Sequence, residues 1–406
     1  MNVLVCHNYY KTTSGEDIVI RADLDLLRAA GFQTVEYSRS NAETDSYAVH
    51  QYLRFAAHTV YSRRTVREIE RLVGEERPDV AFVQNVFPLI SPSIYYALAR
   101  LNVPVIQLVY NYRLVCPNAT LYTEGKVCER CVNGNYLHAV GHRCYRDSAT
   151  LSALYAGTLA LHRHIGDLKR TISAYITPDK FLRSKLVAAG YPASRMFTMY
   201  NPFAIDQYRP SYGHAGYFLF AGRVVREKGI LTALRAMEML PAARMRVVGG
   251  GDADEEARSY TTSHDLRNVA FLGPQYGPDL LSELAGARAV LVPSEWFDNC
   301  PVIVQQAFAL GKPVIASDID GLTEVVTHGS NGLLFAPGDA AGLAAQMSAL
   351  MRDEELRVSL GRSARRMAET EFTPERRIRG LREVIVFVLK QKLPAPISAG
   401  EEVTRT

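Results

Sequence analysis

Short runs of apolar residues recur along the chain. Each is followed by a polar loop and then by a stretch in which apolar positions return every three or four residues. Val3 to Cys6 is the first run. A helix is predicted from about Glu16 to Ala30, closed by Gly31 as a C-cap. Val80 to Val83, Val105 to Val109 and Ala174 to Thr177 are further buried-strand candidates. Alternation of this kind predicts parallel strands covered by helices on both faces. It is interrupted once, from about Asn111 to Ser148, where Cys, Gly and Asn accumulate and no period is visible. That stretch reads as a long ordered insertion.

The pattern changes again between about Tyr200 and Gly216, where two prolines, glycines and little periodicity mark a linker. A second alternating series follows, with strands near Tyr217–Ala221, Met245–Val248, Val269–Leu272, Ala289–Val292 and Pro313–Ala316. The expectation is an α/β fold of two doubly wound, Rossmann-like domains facing each other across a cleft. The first spans residues 1–200 with the insertion at 111–148, the linker 201–216, and the second domain 217–373. The segment 374–393 reads as a terminal helix and 394–406 as a polar tail. Ligands of such sheets bind beyond the carboxyl ends of the strands, so the cleft is where chemistry is expected.

Composition narrows the partners. Of 406 residues, 48% are hydrophobic and 22% charged, as in ordinary globular proteins. A net charge of +4 suits an anionic small molecule or a passing contact with anionic lipid, and is too weak to point to nucleic acid. No apolar run is long enough to cross a bilayer, and "MNVLVCHNYY" has no basic start or long apolar core of a signal peptide. A cytoplasmic protein with reduced thiols is expected, with contact at the inner face of a membrane left open. The arginines Arg63, Arg64, Arg67 and Arg71 are interspersed with acids, which favours a solvated helix face over a lipid-docking one.

Two motifs in the second half carry chemistry. "FAGRVVREKGI" follows a strand and places Arg223 and Lys228 in one turn, with Gly222 and Gly229 allowing sharp bends. Two cations there suit a diphosphate leaving group. "PSEWFDNCPVIVQQAFALGKPVIASDIDGLTEVV" places Asp298 in a loop and starts a helix at Pro301. Backbone donors from Cys300 through Val302 to Ile303 would point at an anion, and Gln306 lies eight positions after Asp298. Gly321 and Glu324 are read as opening a further helix. "VVGGGD" is not a dinucleotide fingerprint, since Asp254 stands at the third glycine position. Gly249 is read as a close turn near a nucleotide base.

These strings, with "VAFLGP" and the N-terminal "HNYYKTTSGEDIVI", resemble glycosyltransferase family 4 over about residues 1 to 375. The resemblance implies the GT-B fold, a retaining transfer without a catalytic metal, and a nucleotide-sugar donor linked through UDP or GDP. It implies an acceptor that is a glycan, a lipid-linked saccharide or a small molecule. Polysaccharide or cell-envelope glycan biosynthesis is the setting it suggests. By the same resemblance Arg223 and Lys228 hold the donor diphosphate and Asp298 matches the acid that contacts the donor sugar. Gln306 matches the acid on the ribose hydroxyls, and Gly15 approaches the diphosphate from the first domain. Tyr110 stands where the family often has His, and Asn299, Cys300, Pro301 and Val302 complete the donor loop. Asp298 is shorter than the usual Glu, and Gln306 is neutral. Two other readings therefore stand beside the transferase: a nucleotide-sugar epimerase of the same fold, and a weakly catalytic nucleotide-sugar-binding scaffold.

Four of the six cysteines, Cys116, Cys128, Cys131 and Cys144, fall in the insertion. "CERC" offers a Cys-x-x-Cys chelate, and the outer two would complete a structural zinc site. Free thiols in a reducing compartment are the alternative.

Overall fold

The computed structural model describes residues 1–12, 14–46, 49–164 and 168–391, so the tail expected from residue 394 lies outside the described residues. Its first half contains β1 (Asn2–Tyr9), β2 (Gln33–Ser40), β3 (Val80–Val83), β4 (Val105–Leu108), the hairpin β5 (Tyr122–Thr123) and β6 (Lys126–Val127), β7 (Ala174–Thr177) and β8 (Met196–Thr198). Six of these form one parallel sheet in the order β2-β1-β3-β4-β7-β8. The second half contains β9 (Tyr217–Ala221), β10 (Met245–Val248), β11 (Val269–Gly273), β12 (Ala287–Val292), β13 (Val314–Ser317) and β14 (Gly332–Phe335). They form a second parallel sheet, β11-β10-β9-β12-β13-β14.

The inner strands are buried on both faces, which is why β3, β4 and β7 read as short, mostly apolar runs. β2 is an edge strand whose sequence QTVEYSRS is mostly exposed or half-buried, so its signal is weak. Helices fill both faces of each sheet. The Gly15–Ala29 helix starts at a reciprocal capping box: the Ser14 side chain accepts from the Asp17 N–H, and the Asp17 carboxylate accepts from the Ser14 N–H.

The Pro374–Lys390 helix packs on the first sheet, burying Leu381, Val384, Ile385 and Val388 with Val3, Val5, Ile20 and Leu24. Each such side chain contributes roughly 1.5–3 kcal/mol when fully buried. Within this contact Arg377 makes a two-pronged bond to Asp23, at 2.9 and 2.6 Å, and both residues are buried. Burial opposes the Arg377 charge, but Asp23 and Tyr110 more than offset this and hold its pKa above the ordinary value.

Each sheet has one point where the strand order reverses, between β1 and β3 in the first and between β9 and β12 in the second. Crevices at such points are where ligands bind in doubly wound sheets. The loops after β1, β9 and β12 carry the residues singled out from the sequence.

Candidate functional site

After β9 the chain turns at Gly222, runs through Arg223 and reaches Lys228 at the end of the short 3-10 turn Arg226–Lys228. Gly229 then takes φ +73°, and a Cβ there would stand 1.7 Å from the Pro293 carbonyl oxygen. Only glycine lets this turn lie against the loop after β12. The contact sets Lys228 beside that loop. Its ammonium donates to Asp298 Oδ2 at 2.5 Å and lies 5.4 Å from the centre of the half-buried Trp296 ring. Ser294 Oγ donates to the same carboxylate oxygen at 2.9 Å. Asp298 is buried, so a cation and a hydroxyl hold its charge out of water.

Arg223 differs from Lys228. It is largely exposed, 3.8 Å from Glu227, and borders an open cavity of about 720 Å³ with Val225, Arg226, Asp252 and Glu256. The two cations expected to act together are therefore one seated on a carboxylate and one facing solvent.

Pro301 caps the Val302–Ala309 helix without a side-chain bond; Val304 N–H turns back onto the Pro301 carbonyl at 2.9 Å, and the N–H groups before it face an anion's place. Across the cleft, a Cβ at Gly15 would be 3.9 Å from Val302 Cγ2. The starts of the Gly15–Ala29 and Val302–Ala309 helices thus face each other, one from each domain. Cys300 is buried, and burial holds its thiol pKa far above the ordinary value, which keeps it neutral. Gln306 is half-buried and donates to the Tyr208 hydroxyl at 3.4 Å.

Asn299 bridges the domains. Its Oδ1 accepts from the Tyr112 hydroxyl at 2.5 Å, and its Nδ2 donates to the Tyr110 carbonyl at 3.4 Å. Glu324 makes a second bridge, accepting from the Lys180 and Phe181 N–H groups at 2.9 and 2.7 Å.

Several placements differ from the sequence reading. The Tyr110 hydroxyl accepts from Arg377 at 2.7 Å, so the phenol completes the Asp23–Arg377 network and only its backbone reaches the donor loop. Gly249 packs on Gly222, where a Cβ would meet the carbonyl oxygen at 1.8 Å. Residues 321–325 form turns rather than a helix, because Gly321 must pass the Asp298 backbone, with the Cβ position 2.6 Å from its oxygen. Among the described residues no three His, Cys, Asp or Glu side chains are arranged to hold a metal, while Cys116, Cys128, Cys131 and Cys144 lie close enough to act on one another's charge. Cys116 packs into the main core of the first domain, while Cys131 and Cys144 pack in a small cluster around Tyr136 and Leu159. Burial and then the neighbouring Cys116 push the Cys131 thiol up to about 12. All six cysteines are free.

Sequence reasoning passed over Glu16, Asn111, Tyr112, Asp179 and Ser294. Each has an ordinary local explanation as a cap, a loop amide or a core aromatic, and only the tertiary fold brings them to the cleft. On the Arg63–Glu76 helix Arg64 pairs with Glu68 at 2.7 Å, as expected of a solvated mixed-charge face. Among the described residues no helix is long and apolar enough to cross a membrane.

Residues 205–367 match the family of glycosyl transferases group 1. This match covers the second sheet with both loops of the Lys228–Asp298 pair. Among curated relatives, the chain is 32% identical over 176 residues to a glycogen synthase of Mycobacterium tuberculosis, covering 42% of each chain. It is 33% identical over 162 residues to a D-inositol 3-phosphate glycosyltransferase of Corynebacterium aurimucosum, covering 37% of this chain and 38% of the relative. The chain thus spans about two fifths of the length of these relatives. Likeness over the whole length comes from solved structures. Anabaena HepE in complex with UDP and glucose aligns with a TM-score of 0.67 at 18% identity, over 95% of this chain and 99% of that one. The sucrose-phosphate synthase of Thermosynechococcus elongatus aligns with a TM-score of 0.70 at 16% identity, over 95% and 98%. The fold is GT-B.

Proposed function

We propose that the protein is a retaining glycosyltransferase that moves a hexose from a UDP-linked donor to a hydroxyl of a glycan, a lipid-linked saccharide or a small molecule, in polysaccharide or cell-envelope glycan assembly. The observation that carries this reading is the Lys228–Asp298–Ser294 cluster at the reversal point of the second sheet, beside the open start of the Val302–Ala309 helix. A cation and backbone donors converge there on the place for a leaving diphosphate, and a carboxylate lies within reach of the sugar it leaves. UDP is favoured as the nucleotide because Anabaena HepE, alike in fold, binds UDP and UDP-glucose.

In this mechanism the bond from the anomeric carbon to the diphosphate oxygen breaks with oxocarbenium-like character. Lys228, Arg223 and the start of the Val302–Ala309 helix stabilise the charge that collects on the diphosphate, which the Gly15 backbone approaches from the first domain. Asp298 holds hydroxyls of the donor sugar. The acceptor oxygen bonds to the anomeric carbon on the face the diphosphate leaves, and its proton passes to the departing phosphate.

Calorimetric binding and turnover against a panel of UDP-, GDP- and ADP-hexoses test the reading, with Lys228→Ala and Asp298→Asn alongside. Selective binding of one UDP-hexose with slow donor hydrolysis is expected. Loss of one stabilising donor at a developing charge costs roughly 100- to 1000-fold in turnover, and Lys228→Ala should show a loss of that order. Full turnover in that variant would remove Lys228 from the diphosphate. Acceptor-free conversion of one nucleotide sugar into another would replace the transferase with an epimerase.

A further inference from the structure

We propose that Glu16 is the acceptor contact of this cleft, and that the group it receives is the neutral, hydroxyl-rich end of a sugar rather than a phosphorylated one. The proposal rests on the transferase reading above. Glu16 is the second residue of the Gly15–Ala29 helix, immediately after the glycine that faces Val302 of the donor loop. Its Oε1 accepts from Asn111 Nδ2 at 2.8 Å. Asn111 lies between Tyr110 and Tyr112, the two residues that hold Asn299, next to Asp298 in the chain. The half-buried Glu16 carboxylate therefore stands on the first-domain wall, opposite the loop that carries the sugar-facing acid.

Two observations point to a ligand there. Gln84, 4% exposed, donates to the Glu16 carbonyl at 3.2 Å, and its own Oε1 has no partner. A buried amide oxygen without a donor is costly, and a hydroxyl that reached it from the cleft would offset that cost. Burial also holds the Glu16 carboxyl above its ordinary range, with Asn111, His7 and Arg113 opposing and Asp17 adding. A carboxylate kept partly out of water gains from a hydroxyl donor more than a solvated one does.

The charge around Glu16 selects the acceptor class. Asp17 sits beside it, bonded to His7 at 2.8 Å. Two cations of the first domain already have partners. Arg113 donates to the Pro117 carbonyl and lies over the rings of Phe87, Tyr145 and Tyr155, while Lys11 pairs with Asp45. A phosphate would meet carboxylates with these cations already committed. Hydroxyls would meet acceptors.

Saturation-transfer NMR on UDP-saturated protein tests this, with methyl α-glucoside, methyl β-galactoside and methyl α-mannoside as neutral probes and glucose 6-phosphate and inositol 3-phosphate as charged ones. At least one neutral glycoside should bind and both phosphates should not. Glu16→Ala should weaken the bound glycoside roughly 10- to 100-fold, the loss expected for a hydrogen bond to a charged group, and Glu16→Gln should fall between. Thermal midpoint and UDP affinity on the same preparations separate misfolding from a lost contact. Preferential binding of a phosphate, binding indifferent to Glu16, or no neutral glycoside bound would each overturn the proposal. Failure of the wild-type protein to bind UDP would sink the transferase reading instead, and the glycoside comparison would still decide the role of Glu16.

Discussion

Asp179→Asn should stabilise the protein, and the gain should depend on pH. Asp179 caps the Lys180–Ala188 helix, accepting from the Leu182 N–H at 2.6 Å. It is fully buried, its Oδ2 has no partner, and the Glu324 carboxylate occupies the neighbouring N–H groups of the same helix start. Burial pushes its pKa from the ordinary 3.8 to about 7; the bond from Leu182 opposes this, and Glu324, Asp298 and Asp320 add to it. The unfolded chain releases this proton near 3.8, while the folded protein keeps it until about 7. The contribution of this group to stability is thus greatest below 3.8, falls as pH rises to about 7, and is constant above. A shift of about 3 units corresponds to about 4 kcal/mol lost by neutral pH. Asn retains the cap and cannot titrate. The advantage of Asp179→Asn should therefore widen by about 3 kcal/mol between pH 5 and pH 8. For a domain of this size that is roughly 6–12 °C in the midpoint. Scanning calorimetry of both proteins at the two pH values measures it. An equal gap at pH 5 and pH 8, or a variant less stable at pH 8, would refute the reasoning.

Two further substitutions probe the frame and the donor loop. Asp23→Asn leaves the Arg377 guanidinium buried without its counter-charge, and should cost about 3–5 kcal/mol in denaturant unfolding. An unchanged midpoint would mean that the terminal helix is held by apolar contact alone. Gln306→Glu restores the acid that the family resemblance implies and should tighten UDP roughly fivefold by calorimetry, since a carboxylate accepts from a ribose diol more strongly than an amide does. Weaker binding would place the ribose away from Gln306.

The architecture was legible because both sheets are parallel. Strands buried on two faces are mostly apolar, so β1, β3, β4 and β9 announce themselves as runs without any partner known. The edge strand β2 follows no such rule; only one of its eight residues is buried and its sequence looks like a loop. The candidate donor loop stands out in the sequence for a related reason. Lys228, Asp298 and the helix start at Pro301 lie at strand exits, and strand exits at a reversal point are where the fold exposes backbone donors.

Tyr110 shows where such reasoning stops. Its place at the exit of β4 is visible in the sequence, but the direction of its side chain is set by Arg377, 267 residues away. Arg377 is in turn fixed by Asp23, and that pair exists only because the terminal helix returns to the first domain. A motif reports which residues reach the cleft by their backbone. Which of them turn into it depends on partners from distant segments. The same physics hides Glu16: beside Asp17 at a helix start it reads as a favourable first-turn charge. Its setting in the cleft follows from Asn111 and Gln84, which meet it from two other strand exits. Carboxylates at helix starts in doubly wound domains therefore need both readings, with the choice made by what the neighbouring strand exits leave unpaired.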